Sequence, residues 1–420
     1  MNFEFDLAVL GGGAAGFFGA INAARLNPDL KIIILEKSPK LLSKVRISGG
    51  GRCNVTHHCF EPTPLSQHFP RGQKELKKLF RSFQAKDTVA WFAALGVTLK
   101  TEADGRMFPV TDESQTVIDC FLNQSKALHI EIETNCVVEQ ISAEQDRFRI
   151  RTTDGREITS KKVLAAIGGH PQSSHYGWLN GLGHTIIPTI PSLFTFNDSE
   201  KKFIDLMGVS VPNAEVKIAG TKFSQAGPVL ITHWGLSGPA VIRLSAWAAE
   251  YLHGKAYEFT VLVNWTGRMS EEVLREELSE LRTKNGRRTI MANPLFGLPE
   301  RLWDRLIRLA DIGETKIWGE ASNKDINRLI EFLIRCPFHI KGKTTFKEEF
   351  VSCGGVDLSE VTLETMESKK VPGLYFGGEV LNMDGETGGF NFQAAWTTAY
   401  VAAEAIAKIS PVRKQSEPFI

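Results

Sequence analysis

The sequence predicts an α/β protein whose parallel sheet begins near the N-terminus, is interrupted by a long insertion, and is completed by the C-terminal residues. Three observations predict it. An apolar strand runs into a glycine-rich turn and a small-residue helix within residues 7–25; residues 130–167 change to a period of two; and a second apolar strand at residues 374–376 ends in glycines. The 420 residues, 42% of them hydrophobic, suffice for two or three domains with their own cores.

The first unit has the order of a dinucleotide-binding βαβ unit. Residues 7–10 form an apolar strand, residues 11–16 carry the spacing G-x-G-x-x-G, and residues 31–35 supply the second strand. Glu36 then lies twenty residues after the last of these glycines. Because strand, turn, helix, strand and carboxylate follow in the required order, the sequence predicts a Rossmann unit that binds a dinucleotide rather than an ordinary βαβ unit.

The residue types in this unit have separate physical roles. Gly11 permits the tight turn, Gly13 lets the backbone approach a pyrophosphate, and Gly16 lets the helix pack against its strand. The free N–H groups at the start of the helix face the phosphate, and Glu36 accepts hydrogen bonds from a ribose. The expected contacts of the unit with its dinucleotide are Gly11, Gly13, Ala14, Ala15, Gly16, Glu36 and Lys37.

Composition argues against several classes of protein. The net charge of +1 creates no overall field toward nucleic acid or an anionic membrane, so such binding would need a local patch. No apolar run approaches the ~20 residues of a transmembrane helix, and the first residues lack the basic start and apolar core of a secretory signal. We therefore expect a cytoplasmic protein with no membrane partner. The six cysteines form no C-x-x-C pair, which predicts reduced thiols and no metal site.

The pattern along the chain predicts a nucleotide-binding domain split by an insertion. Strands are expected at residues 130–141, 147–152 and 157–166, followed by short strands to about residue 265 and by helical spacing from about 270 to 335. The expected parts are the first portion of the nucleotide-binding domain (1–190), a β-rich subdomain (191–268), a helical subdomain (269–336), a return through the β-rich subdomain (337–350) and the C-terminal portion of the nucleotide-binding domain (351–420).

The C-terminal block favours FAD over NAD as the bound dinucleotide. The strand at residues 374–379 ends in Gly378 and Glu379, and the pair Gly388–Gly389 opens an apolar helix. Glu379 can bind a ribityl hydroxyl, and the positive end of the helix can lie beside the N1–C2=O edge of an isoalloxazine, where negative charge collects on reduction. Since the sequence has no second G-x-G-x-x-G unit, NAD(P)H would reach the flavin directly as a transient electron donor. The alternative is a substrate that reduces the flavin, with oxygen reoxidising it.

These motifs together resemble one bacterial flavoprotein family, the NAD(P)/FAD-dependent oxidoreductases that are BaiN-like or aminoacetone-oxidase-like. The matching segments, which span nearly the whole chain, are residues 11–16, 48–54, 105–109, 232–239, 354–356, 378–380 and 388–393. The resemblance implies a glutathione-reductase-type FAD-binding Rossmann domain with a β-meander, interrupted by an inserted β-barrel-like subdomain and a helical subdomain. Members are linked to bile-acid reduction, to amine oxidation and to reduction of uridine to dihydrouridine in ribosomal RNA.

The resemblance also implies further cofactor contacts. By motif they are Gly50, Gly51, Arg52, Cys53 and Asn54 in the loop near the flavin, Ala166, Gly168 and Gly169 after the returning strand, and Gly378, Glu379, Gly388, Gly389, Phe390, Asn391 and Gln393 in the C-terminal block. Val138, in the first meander strand, is expected to contact the adenine through its backbone. The sequence departs from the family pattern at residues 168–177, and Asn382 stands where the family often has Asp. The family therefore does not determine the substrate.

Reduction of a C=C bond needs a hydride from flavin N5 and a proton donor for the other carbon. The candidate donors are Cys53, His170, His233 and Cys353. For His233 and Cys353 the alternative is a structural role, as a hydrogen-bonded histidine and a small buried thiol. The charge of Arg52 would favour a Cys53 thiolate, although the motif role of Cys53 could be backbone shape alone. The catalytic residue is left open.

The leading hypothesis is an FAD-dependent oxidoreductase, an NAD(P)H-driven reductase of a C=C bond in a small-molecule or RNA substrate. Support for RNA consists of two basic groups, one on a helix face (Lys74, Lys77, Lys78 and Arg81) and one at Arg282, Lys284, Arg287 and Arg288. A solvated helix face is the alternative explanation for the first group. Two further hypotheses are an amine or amino-ketone oxidase that produces hydrogen peroxide and a non-enzymatic flavin-bound scaffold or sensor. The sequence does not indicate an oligomeric state.

Overall fold

The computed structural model describes residues 3–144, 146–170, 172–267, 269–344 and 351–408. The chain divides into two compact units, the first made of residues 1–189 and 351–420 and the second of residues 190–350. A continuous unit is thus inserted into a discontinuous one. The finer division into five segments expected from the sequence stays a prediction, and residues 345–350 of its return segment, like Pro171, lie outside the described residues.

The elements alternate between strands and helices in the first unit and change to strands followed by helices in the second. The strands are β1 Phe3–Leu10, β2 Ile32–Leu35, β3 Thr56–His57, β4 Leu99–Thr101, β5 Arg106–Pro109, β6 Glu131–Glu133, β7 Val138–Ala143, β8 Phe148–Thr152, β9 Glu157–Ala165, β10 Ile186–Pro191, β11 Thr195–Asp198, β12 Ser210–Ile218, β13 Ser224–Ile231, β14 Gly235–Ser237, β15 Glu258–Asn264, β16 Cys336–Thr344, β17 Ser352–Val356, β18 Val361–Thr362, β19 Glu367–Ser368 and β20 Leu374–Phe376. The helices are α1 Ala14–Leu26, α2 Ser43–Gly51, α3 Pro62–Ser66, α4 Gln73–Leu79, α5 Ala85–Ala94, α6 Ser114–Ala127, α7 Gly177–Gly181, α8 Pro239–Trp247, α9 Ala249–Gly254, α10 Glu271–Lys284, α11 Glu300–Leu309, α12 Asn323–Ile334 and α13 Phe390–Ala407, with 3-10 turns at Ser173–Tyr176, Ile204–Leu206, Trp318–Glu320 and Leu358–Glu360.

One sheet runs through the first unit in the order β18-β19-β20-β9-β1-β2-β6. Its central strands, from β20 to β6, are parallel: Leu10 pairs with Leu35 on one side and with Ala165 on the other, and Phe376 also pairs with Ala165. Strands buried on both faces have continuous apolar sequences, as β2 and residues 7–10 of β1 do. The C-terminal strand therefore completes the sheet that the first strand begins, and the predicted α/β Rossmann fold is confirmed.

The β-meander differs from the prediction in one place. The single strand expected over residues 130–141 is two strands, β6 and β7, which have different partners. β6 is the parallel neighbour of β2, whereas β7 pairs antiparallel with β8, which in turn pairs with β9. Asn135 lies between them with φ +56°, a left-handed conformation that interrupts an extended strand.

Helix α1 is buried on all sides rather than along one stripe. Every residue from Ala15 to Ala24 is buried, as is typical of a helix enclosed between a sheet and another helix. The other helix is α13, which packs along α1; at its end Asn27 Nδ2 donates to the carbonyl oxygen of Ala407 at 3.2 Å. The first and the last helix of the sheet domain thus form one packing layer.

The second unit is a closed barrel with helices packed against it. The barrel order is β11-β14-β13-β12-β15-β16, and the buried faces of α10, α11 and α12 share one hydrophobic core with its strands. A capping box starts α12: Ser322 Oγ accepts from Asp325 N at 3.2 Å, and the Asp325 carboxylate accepts from Ser322 N at 2.8 Å. The predicted barrel-like and helical parts are confirmed. Within the described residues, no helix has both the length and the apolar character needed to cross a bilayer.

Candidate functional site

The glycine-rich turn after β1 is enclosed by backbone atoms. Gly11 has φ +108°, and a Cβ atom there would lie 2.4 Å from the carbonyl oxygen of Ala166. A Cβ atom on Gly16 would lie 1.9 Å from the carbonyl oxygen of Gly11, so α1 can approach β1 only with glycine at this position. Ala166 N donates to the carbonyl oxygen of Leu10 at 2.9 Å, which fixes the end of β9 beside the turn.

Four other glycines among the predicted cofactor contacts face open space. At Gly13, Gly50, Gly51 and Gly168 a Cβ atom would meet no atom within 4 Å. Gly13 also precedes the first turn of α1, which contains no acidic residue, so the backbone N–H groups there are available to an anion. Bare backbone at these positions suits a ligand that must approach the main chain closely.

Glu36 lies at the end of β2 with its carboxylate beside the turn. Oε2 accepts from Gly12 N at 2.7 Å, and Oε1 accepts from Ser38 N at 2.9 Å. Each oxygen keeps acceptor capacity for a ribose hydroxyl, so the geometry fits the predicted role. Cys136 N donates to the carbonyl oxygen of Glu36 at 2.9 Å, which brings the segment before β7, and with it Val138, to the end of β2.

The C-terminal block meets the opening turn. A Cβ atom on Gly378 would lie 2.8 Å from Cβ of Ala15, and a Cβ atom on Gly169 would lie 2.4 Å from Oε1 of Glu379. The other carboxylate oxygen of Glu379 accepts from Lys44 Nζ at 2.5 Å. One site is therefore formed by segments from both ends of the chain, together with the end of β9 and α2.

A family model described as the HI0933-like protein Rossmann domain matches residues 5–405. The chain belongs to this family. Two relatives of the HI0933-like chain match nearly all of it. The 3-dehydro-bile acid delta(4,6)-reductase of Clostridium scindens is 28% identical over 410 residues, covering 96% of this chain and 99% of that protein. The ribosomal RNA dihydrouridine synthase of Escherichia coli is 28% identical over 410 residues, covering 96% of this chain and 98% of that protein.

Solved structures share the fold at low sequence identity. The 3-ketosteroid-delta4-(5alpha)-dehydrogenase of Rhodococcus jostii, in complex with 4-androstene-3,17-dione, has a TM-score of 0.54 at 12% identity and covers 97% of each chain. The 3-ketosteroid delta1-dehydrogenase of Sterolibacterium denitrificans has a TM-score of 0.51 at 13% identity and covers 96% of this chain and 99% of that one. At such identity the likeness shows the fold alone. With the family match and the relatives, the HI0933-like chain is an FAD-dependent oxidoreductase with an FAD-binding Rossmann fold, as the sequence predicts.

In the HI0933-like chain the loop after α2 places its cysteine in the core. Cys53 is fully buried with φ +62°, and its N–H donates to the carbonyl oxygen of Ser48 at 2.9 Å. Burial raises the pKa of the Cys53 thiol to about 12. The expectation that Arg52 favours a thiolate is therefore wrong. The two side chains diverge: the Arg52 guanidinium bonds to Glu102 at 2.5 Å and lies 4.0 Å from the ring centroid of Phe108. Cys53 shapes the loop.

Asn54 and Gln393 connect this loop to α13. With its amide oxygen toward the helix, Asn54 accepts from Gly389 N at 3.0 Å and donates to the carbonyl oxygen of Thr56 at 3.1 Å. The side-chain oxygen of Gln393 accepts from Thr56 Oγ1 at 2.6 Å and from Thr88 Oγ1 at 2.9 Å. Because Gln393 is fully buried in this network, its side chain holds α13 in place, and its cofactor contact stays a prediction.

A cluster of titratable side chains that no sequence spacing signals lies at the start of α13. Phe390 stacks on His57 and His68, with ring centroids 4.7 and 4.1 Å apart. His68 Nδ1 lies 3.1 Å from Glu386 Oε2, and His57 Nε2 lies 3.1 Å from the carbonyl oxygen of Asp104. Burial lowers the pKa of His57, which keeps that ring neutral. The His68–Glu386 pair lies beside the start of α13, at which the flavin ring is expected.

The turn before α13 is held by a buried ion pair and by an amide. Asp384 is fully buried, and its carboxylate accepts two hydrogen bonds from the Arg71 guanidinium. Asn391 Oδ1 accepts from Gly385 N at 2.8 Å, and Nδ2 donates to the carbonyl oxygen of Gly385 at 2.9 Å. The side chain of Asn391 thus shapes the turn that contains Gly388, and the cofactor contacts of both residues stay predictions.

The remaining proton-donor candidates have different surroundings. Burial, followed by the charge of Lys37, lowers the pKa of His170 to about 4, and its donor role stays a prediction. Cys353 is buried in β17, which fits the structural alternative. His233 is exposed in the second unit with its ring centroid 4.1 Å from that of Trp234, and its donor role stays a prediction.

Proposed function

We propose that the chain reduces a C=C bond conjugated with a carbonyl group in a ring, with FAD as the bound cofactor and NAD(P)H as the transient donor. The observation that carries the proposal is the meeting of Gly378 and Glu379 with the opening glycine turn. It brings a carboxylate for a ribose, a turn for phosphates and a second carboxylate for a ribityl chain into one domain. NAD alone would not need the second carboxylate.

The residues present fit FAD. The open space at Gly13 and Gly168 leaves room for a pyrophosphate, Glu36 would hold the adenosine ribose, and Glu379 would hold the ribityl hydroxyls. Helix α13 is 18 residues long and has no acidic residue in its first turn, so its N-terminus carries a partial positive charge for the flavin ring. When bound, FAD supplies a hydride from N5 to the substrate.

The substrate class rests on what the two relatives have in common. A delta(4,6)-reductase of a 3-dehydro-bile acid and a dihydrouridine synthase both saturate a ring C=C bond conjugated with a carbonyl group. In such a system the carbon far from the carbonyl takes the hydride, and the carbon beside the carbonyl takes a proton. The His68–Glu386 pair would supply this proton: the carboxylate bonds to Nδ1 of the ring, which leaves Nε2 to exchange a proton with the substrate.

Anaerobic addition of NADPH or NADH to the FAD-loaded protein is expected to bleach the flavin absorption, and a cyclic enone or a uridine-containing RNA is expected to restore it. The measurement is the visible spectrum during each titration. The oxidase alternative would be established if neither nicotinamide reduced the flavin, whereas an amine reduced it and oxygen reoxidised it with formation of stoichiometric peroxide. A flavin inert to all small reductants would instead support the scaffold alternative.

Ribosomal RNA is the second candidate substrate, and an unpaired basic helix face favours it. Lys74, Lys78 and Arg81 are exposed on or just after α4, and none of them takes part in an ion pair among the residues that the structure describes. In the other predicted basic group, Arg282 and Lys284 bond to neighbouring side chains, whereas Arg287 and Arg288 are exposed and take part in no ion pair among the described residues. Cations without a protein partner are the ones available to phosphates.

Replacement of Lys74, Lys78 and Arg81 by glutamate is expected to weaken binding of a ribosomal RNA fragment by tenfold or more at ~0.1 M salt. The slope of the logarithm of the binding constant against the logarithm of the salt concentration is expected to fall in magnitude by about 2. The measurement is a filter-binding or anisotropy titration at several salt concentrations. The matched control, with the same change in net charge, replaces the exposed and ion-paired Arg147, Arg149 and Arg151 by glutamate. Equal losses in both variants, or no loss in the first, would remove the RNA interface.

A further inference from the structure

A cluster of cationic and imidazole side chains lies beside the glycine turn. Lys37 Nζ is 3.0 Å from His170 Nε2, and the rings of His170 and His175 stack with centroids 3.2 Å apart. The Nδ1 atoms of both histidines are buried and find no hydrogen-bond partner among the described residues. Buried polar atoms normally have partners, so the hydrogen bonding of this cluster is incomplete.

The cluster connects the two segments that flank the turn. Lys37 directly follows the carboxylate that accepts from Gly12 N at 2.7 Å. His170 follows the segment that packs on the turn from the other side, since a Cβ atom on Gly11 would lie 3.1 Å from Cα of Ile167. The Lys37–His170 contact is therefore made next to the turn at which a Rossmann unit binds phosphate.

The Lys37–His170 contact requires a neutral imidazole. A lysine ammonium has only donors, so His170 Nε2 must accept and the ring proton must sit on Nδ1, the atom without a partner. An anion bound next to Lys37 and His170 would change which hydrogen bonds are favoured. Lys37 can then donate to the anion, and His170 can take up a proton and donate from Nε2 as well, so two charge-assisted hydrogen bonds replace one internal bond.

We propose that Lys37, His170 and His175 form a clamp for the pyrophosphate of the bound dinucleotide, and that His170 takes up a proton when the dinucleotide binds. The clamp rests on the proposed binding of FAD and adds to it a proton and two histidines that the glycine motif does not contain. His175 supports the His170 ring by stacking. The two negative charges of the pyrophosphate would be matched by Lys37 and the protonated His170.

The charges around His170 give the sign of the effect. Around His170 lie Lys37, Lys44, His175, Tyr176 and Glu379. Burial, and then the charges of Lys37, His175 and Lys44, lower the pKa of His170 to about 4, while Glu379 is occupied by Lys44. A bound pyrophosphate raises this pKa. Affinity therefore increases as the pH falls from above 6.5 toward 4 and does not increase further below that.

Titration of the full-length apo-protein with FAD, followed by flavin fluorescence, is expected to give an affinity about 25-fold higher at pH 5 than at pH 7.5. This value assumes that the pKa of His170 returns from about 4 to the ordinary 6.5 in the complex. Calorimetry at pH 6 in buffers of different ionisation enthalpy is expected to show uptake of about 0.7 proton. His170→Gln, which cannot titrate, should lose both the pH dependence of FAD affinity and the proton uptake.

Lys37→Met provides a second variant. It removes a positive charge beside His170, so the pKa of the free imidazole rises, FAD affinity falls at pH 7.5, and the pH dependence shrinks. A wild-type affinity independent of pH, or a dependence that survives in His170→Gln, would overturn the clamp while FAD binding itself stands. Failure of the wild type to bind FAD at pH 7.5 would overturn the proposed cofactor instead. If His170→Gln alters the pH dependence for NADPH and not for FAD, the cluster serves the donor, and the clamp is wrong.

Discussion

Gly13→Ala is expected to leave the apo-protein as stable as the wild type and to weaken FAD binding by about 100-fold or more, equal to ~2.7 kcal/mol. Alanine readily adopts the backbone conformation of Gly13, φ −97° and ψ −167°, and its Cβ atom would meet no protein atom within 4 Å. The methyl group would occupy the space that the pyrophosphate needs. Thermal unfolding of the apo-protein and a flavin fluorescence titration measure the two effects.

Two further glycine variants serve as controls for this result. Gly181→Ala adds a methyl group to equally open space at the end of α7 and should change neither stability nor FAD affinity. Gly16→Ala should destabilise the apo-protein by about 3 kcal/mol or more, because its Cβ atom would lie 1.9 Å from a backbone oxygen in a packed interior. Wild-type FAD affinity in Gly13→Ala would show that no phosphate approaches this turn.

Asp384→Ala is expected to lower the free energy of unfolding by about 3–5 kcal/mol, since it leaves the guanidinium of Arg71 without its buried carboxylate partner. Only 12% of the Arg71 side chain and none of the Asp384 side chain is exposed, so water cannot replace the lost bonds. The pair also fixes the turn that leads into α13, and we expect the variant to release FAD more readily. Urea denaturation of the apo-protein measures the stability change.

The matched control is Asp112→Ala. Asp112 also forms a close ion pair with Lys100, and it lies 3.5 Å from Arg52, but 42% of the Asp112 side chain and 39% of the Lys100 side chain are exposed. Loss of these screened pairs is expected to cost about 0–1 kcal/mol. Because Asp112 has φ +56°, alanine there is expected to cost about 1 kcal/mol more. The double variant Arg71→Met with Asp384→Leu should regain part of the stability lost in Asp384→Ala. Equal effects of Asp384→Ala and Asp112→Ala would mean that burial does not decide the strength of these pairs.

The fold of the first unit could be predicted because its main signals are local. The order of strand, glycine turn, helix, strand and carboxylate lies within residues 7–36, and the return of the chain is marked by a second apolar strand that ends in Gly378 and Glu379. Where the prediction of strands was wrong, one residue was responsible: the left-handed Asn135 divides a stretch whose period of two looks continuous. The periodicity of apolar residues does not reveal a single residue in the left-handed conformation.

The chemistry of the site was less predictable because it depends on contacts between distant residues. His68 and Glu386 are 318 positions apart, and no spacing rule relates them. Arg52 and Cys53 are adjacent, yet a positive φ turns the thiol into the core, so sequence proximity gave a wrong electrostatic environment. Gln393 looks like a ligand contact at the start of a helix, but its amide belongs to a buried threonine network.

The adjacency of β20 and β9 also affects how the protein is made. During translation residues 163–165 of β9 lack their partner strand β20 until residues 374–376 have left the ribosome. The surface of α1 that meets α13 stays open until α13 has followed. The inserted barrel has by then been fully synthesised and has its own core, so it can fold first. An unpaired strand edge can associate with other chains. The nascent protein therefore needs chaperone protection most in the interval before β20 and α13 have been synthesised.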